Sequence, residues 1–186
     1  MQARVRMIAA AAGVSLLLSC QSAGSDQLGL ADGEQLATCG LLPEGKELPG
    51  GEASFALEAP SSGVSGDTVT YSLRLVGVED AAGVEVVGSS PDVLITRQGQ
   101  VVGRSPEGLG TAMAFRYSLD ERESDFSPTE DLLLSGCPDE DVDPTAPQSS
   151  RAPLPEGEYD LTAVVRDAES SGVYLSETRR ITVTSP

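Results

Sequence analysis

A chain of 186 residues with 12 Lys+Arg against 29 Asp+Glu carries a formal charge of -17, which sets it against phosphate backbones and excludes nucleic acid as a partner. Hydrophobic residues make up 39% of it, enough for the core of one domain with short appendages. It has no His and no Trp, and Lys46 is its one lysine, which excludes Ser-His-Asp and Cys-His nucleophilic systems and His-ligated zinc.

Arg4 and Arg6 precede an apolar run from Met7 to Leu18. As a helix that run spans about 18 Å, against a hydrocarbon core of about 30 Å. It is too short to cross a bilayer and has the length of a signal-peptide core. The run closes on Leu17-Leu18-Ser19-Cys20, which resembles the bacterial lipobox. The resemblance implies cleavage between Ser19 and Cys20 and a diacylglyceryl thioether on Cys20. The alternative is an ordinary secretory peptide, with Cys20 a free or structural thiol. Loss of Arg4 and Arg6 would leave a still more acidic body, so the lipid alone would hold it against anionic headgroups.

The stretch from Gln21 to about Gln35 is polar and lacks sustained periodicity. It reads as a flexible tether reaching about 20–25 Å as a coil. The expected division is therefore residues 1-19 as a lipoprotein signal peptide, 20-36 as lipidated cysteine and tether, and 37-186 as a β-sandwich domain.

Of three cysteines, Cys20 is assigned to lipid, which leaves Cys39 and Cys137. An exported chain most simply pairs them. The loop they close, of roughly a hundred residues, is worth about 4–5 kcal/mol in the chain-entropy account. Two buried free thiols are the alternative. Between them, Gly40 to Lys46 matches the G-x-x-x-x-G-K half of a phosphate-binding loop. Glu47 stands where that loop needs Ser or Thr, so a turn-rich segment is the better reading.

From Cys39 onward the pattern has period two, and strands are expected in chain order. They cover Ser54 to Glu58, Thr68 to Val76, Val84 to Val87, Asp92 to Thr96 and Gln100 to Arg104. Thr111 to Leu119, Asp131 to Cys137, Gly157 to Val165, Val173 to Leu175 and Ile181 to Val183 follow. Thr68 to Val76 alternates most cleanly, with Val69, Tyr71, Leu73 and Leu75 inward. A hairpin is expected through Arg97-Gln98-Gly99. Tyr71, Leu73, Phe115, Tyr117, Tyr159 and Leu161 are the expected core. No segment holds a helical period, so the fold class is all-β, an antiparallel sandwich.

Leu154-Pro155-Glu156-Gly157-Glu158-Tyr159-Asp160-Leu161 resembles the Pro-x-Gly-x-Tyr-x-Leu stretch that opens a late strand in immunoglobulin-like bacterial domains. There the Gly turns the chain into the strand and the Tyr hydroxyl bonds backbone at the sheet corner. With the hairpin Val93 to Val102, this stretch is similar to small immunoglobulin-like lipoproteins, and distantly to the bacterial intracellular proteinase inhibitor domain. The resemblance implies an immunoglobulin-like sandwich over roughly Glu52 to Val183. The missing Trp departs from antibody-type sandwiches.

Asp139, Asp141 and Asp143 have the alternate spacing that opens calcium loops. Pro144 stands where such a loop needs Gly, and Ser150 where it needs a bidentate Glu. A solvated acidic loop beside Cys137 is the plainer account. No acidic pair or nucleophile sits in a catalytic motif, so no enzyme and no cofactor are expected. The reading that results is a lipid-anchored, non-catalytic binding or accessory module on the outer face of the cell membrane, meeting a protein or another envelope component. A protease-inhibitor-like domain and a calcium- or small-ligand-binding lipoprotein stand as alternatives.

Overall fold

The computed structural model describes residues 28–29, 35–36, 39–49, 53–77, 83–105, 114–120, 129–137 and 151–186. Among them there are thirteen strands and no helix, so the protein is all-β. In chain order the strands are β1 (Leu28–Gly29), β2 (Gln35–Leu36), β3 (Ala53–Glu58), β4 (Ser62–Val64), β5 (Thr68–Gly77), β6 (Glu85–Gly88) and β7 (Asp92–Arg97). Then follow β8 (Gln100–Arg104), β9 (Phe115–Ser118), β10 (Thr129–Leu133), β11 (Gly157–Arg166), β12 (Val173–Leu175) and β13 (Arg179–Thr184).

Two larger sheets and the two-stranded β6-β9 ladder, through Val86 and Tyr117, carry the core. One runs β10-β5-β3, and the larger runs β4-β13-β11-β7-β8 with β12 beside the end of β11. Alternation makes β5 a two-faced strand: Val69, Tyr71, Leu73 and Leu75 are buried, while Thr68, Thr70 and Arg74 are exposed. They meet Phe55 and Leu57 from β3, and Val93, Ile95, Tyr159, Leu161, Ile181 and Val183 from the larger sheet, in one apolar cluster. Phe55 presents its ring edge-on to Tyr117 at 5.2 Å between centroids.

The core expectation holds for Tyr71, Leu73, Tyr117, Tyr159 and Leu161, all buried. Phe115 departs from it. This residue starts β9 and is only half-buried, packing against the rim of the cluster. The central strand β11 is buried on both faces from Leu161 to Val165, with Thr162 meeting Thr178 across its outer side.

The hairpin β7–β8 turns through two residues, Gln98 and Gly99, with φ of 53° and 80°. Positive φ at both positions matches the right-handed twist of the flanking strands. Arg97 thus ends β7 instead of belonging to the loop.

One ladder departs from the antiparallel expectation. β4 pairs parallel with β13, because the chain leaves β3 at Ala59 and Pro60 and changes sheets without reversing. Pro60 has no N–H with which to extend the β3 ladder. A two-residue ladder, β1 with β2, also lies within the stretch expected to be an unstructured tether.

Candidate functional site

Cys39 and Cys137 form a disulfide with 5.7 Å between Cα atoms, as the cysteine count led us to expect. Residues 39–41 lie along β8, where the Cys39 N–H donates to Val101 at 2.7 Å and the Val101 N–H to Gly40 at 2.9 Å. The disulfide therefore fastens an added edge segment to Cys137, four residues past the end of β10. The phosphate-loop-like stretch is extended here, and its lysine is engaged elsewhere. Lys46 ion-pairs with Asp167, donates to Ser170 at 3.1 Å and lies 4.4 Å from the centroid of the Tyr174 ring. Donation from Lys46, then from the Ser170 hydroxyl and the Glu169 N–H, pulls the Asp167 carboxyl down to about 2.

A cleft of about 390 Å³ opens at the end of the larger sheet, lined by Thr96, Arg97, Gln98, Glu158, Tyr159, Asp160 and Arg180. Strand register builds it. Asp160 on β11 lies between Thr96 on β7 and Arg180 on β13, so the three side chains share one face of the sheet. Arg180 makes a long contact to the Asp160 carboxylate at 3.5 Å.

Arg97 is held differently. Its guanidinium lies over the Tyr159 ring, 5.3 Å from Cζ to centroid. On its other side is the backbone of Gly157, where a Cβ would sit 3.0 Å from Arg97 Nη2. Gly157 also has φ of 149°, a conformation L side chains rarely adopt. The Gly of the Pro-x-Gly-x-Tyr stretch is thus required twice, by its backbone and by the guanidinium resting on it. Two residues later, the Tyr159 hydroxyl donates to the Pro155 carbonyl at 2.7 Å, as the resemblance implied.

The cleft sets the Arg180 guanidinium beside the carboxylates of Glu158 and Asp160, while the Arg97 guanidinium lies on the opposite face with Tyr159. The sequence reading missed it. The available signal was period two itself, which puts Glu158 with Asp160, and Thr96 with Gln98, on one face of their strands. Cys20 and the calcium candidates Asp139, Asp141 and Asp143 lie outside the described residues. Among the described residues no group of three or more His, Cys, Asp or Glu could hold a metal, and no helix is long and apolar enough to cross a membrane. Comparison with known protein families, curated proteins and solved structures returns no match.

Proposed function

We propose that this chain is an exported lipoprotein, anchored through Cys20, whose immunoglobulin-like sandwich is a non-catalytic binding module on the outer face of the membrane. The observation that carries this reading is the Cys39–Cys137 disulfide. Disulfides persist in oxidising compartments outside the cytosol. The pair uses two of three cysteines, and the third is the cysteine that ends the lipobox-like stretch Leu17 to Cys20.

The immunoglobulin-like assignment draws support from the strand plan and from one corner. A three-stranded and a larger sheet share one core, and a hairpin partner, β8, extends the larger sheet beside β7. The Tyr159-to-Pro155 bond sits at the start of a central strand, as tyrosine corners do in such sandwiches. The bridge does not join the two sheets through central strands as in antibody domains, so it serves the domain's edge instead.

Labelling cells with radioactive palmitate tests the anchor. The expected result is an acylated, membrane-associated protein, with label and normal processing both lost in Cys20→Ala. A Cys20→Ala variant processed and retained in the membrane like the parent contradicts the reading.

A further inference from the structure

We propose that the outer edge of β10 docks an extended, lysine- or arginine-rich segment of a partner protein, which joins the three-stranded sheet as a fourth strand. This deepens the binding-module reading, on which it rests, and is independent of the anchor.

A strand at the end of a sheet presents a row of N–H and C=O groups that no neighbouring strand meets. The protein covers most of its edges. Cys39 to Leu41 lie along β8, held by backbone bonds to Val101 and by the disulfide. Ser176 lies beside β3, where the Glu177 N–H donates to the Phe55 carbonyl at 2.8 Å. At β12 the Lys46 N–H donates to the Val173 carbonyl at 2.9 Å. β4 has only three residues, and its Val64 carbonyl accepts from the Asp67 N–H. β10 is different. It has five residues, ends its sheet, and pairs only with β5 among the described residues.

Register decides what that edge offers. Glu130 lies opposite Tyr71 and Leu132 opposite Val69, so these two share the core-side face. Thr129, Asp131 and Leu133 share the outer one. Leu132 is buried, while Thr129, Glu130 and Asp131 are exposed. The edge therefore carries one exposed carboxylate on each face. Asp131 accepts from the Thr70 hydroxyl at 3.1 Å and keeps its charge. The ion pairs among the described residues use other acids.

Those two charges choose the occupant. A second copy brings the same acids and a formal charge of -17, so β10 against β10 sets carboxylates on carboxylates. A basic strand instead meets attraction on both faces while its backbone pairs with the free edge.

The test is titration of the isotopically labelled full-length protein with a capped octapeptide of Thr and Val around a central Lys-Lys pair, followed by the amide signals of Thr129 to Leu133. Saturable shifts are expected there, with a Kd on the order of 0.1–1 mM. The same peptide with every backbone nitrogen methylated keeps the charge but cannot donate to a strand, and should give no such shifts. A Glu-Glu counterpart should give none either. Glu130→Lys with Asp131→Lys should weaken Lys-Lys binding by about tenfold or more and admit the Glu-Glu peptide. Saturable shifts that lie elsewhere, or none, overturn the proposal. Equal binding of the methylated peptide overturns it too, because charge alone would then explain the association. So does undiminished binding by the double variant, or a dimer of the protein alone that forms through the β10 signals. Both control peptides act on the parent protein, so the test stands even where the double variant does not fold. None of these results bears on acylation of Cys20, so failure here and failure of the anchor are told apart.

Discussion

The Tyr159 hydroxyl donates to the carbonyl of Pro155, 2.7 Å away, so one side chain secures both the start of β11 and the turn that leads into it. The same ring supports the Arg97 guanidinium. Tyr159→Phe keeps the packed ring and removes the hydroxyl. We expect a loss of about 1–2 kcal/mol in urea unfolding, because the Pro155 carbonyl loses its donor. Unchanged stability would show that solvent already satisfies that carbonyl.

The disulfide spans a sequence separation of 98 residues. Replacing both partners, Cys39→Ser with Cys137→Ser, should lower unfolding stability by about 2–5 kcal/mol. The parent protein under a dithiol reductant should behave like the double variant. Equal midpoints for oxidised and reduced protein would contradict a structural role for the bridge.

At acid pH the Lys46–Asp167 pair should fail. Asp167 is depressed in the fold to about 2 from 3.8, first by Lys46, then by Ser170 and the Glu169 N–H. A lowered carboxyl contributes stability that is present above its unfolded value and is lost as pH falls through the folded one. Lys46→Met should therefore be less stable than the parent at neutral pH. The difference should shrink between about pH 4 and pH 2. A gap that stays constant across that window would assign the effect to packing on Tyr174 instead.

Burial raises the phenols of Tyr71 and Tyr117 well above their ordinary range, with Glu130 and neighbouring groups adding to it. The sign follows directly: the folded state keeps these protons, so their contribution is full below about pH 10 and declines as alkali rises. In the folded protein near pH 11, Tyr71→Phe with Tyr117→Phe should show the same phenolate absorbance as the parent. A drop in the variant would mean that the two rings ionise in place.

Gly103 on β8 faces the Ser135 carbonyl so closely that a Cβ would strike it. Backbone cannot swing aside as a side chain can. Gly103→Ala should cost about 1–3 kcal/mol through overpacking, measured against Gly99→Ala at the open turn as a strain control.

How much of this was legible follows from what each element depends on. β5 could be read almost to its ends, because ten residues of alternation encode two faces without help from any other strand. The Tyr159 corner was legible for the same local reason, its bond reaching back only to Pro155. β4 was not. Ser62, Gly63 and Val64 carry no alternation and form a strand only because β13 offers an edge. The cleft was least visible, since Thr96 and Arg180 are brought to either side of Asp160 by strand order across β11 and by nothing in their own neighbourhoods. The Cys39–Cys137 pair needed only counting and compartment.

The account stands most directly on one mass measurement of the protein extracted from cell membranes under non-reducing conditions. It predicts a chain beginning at Cys20, carrying diacylglyceryl on that sulfur, with Cys39 joined to Cys137 and no free thiol. A chain that retains Met1 to Ser19, or one that begins at Cys20 with an unmodified thiol, would contradict it.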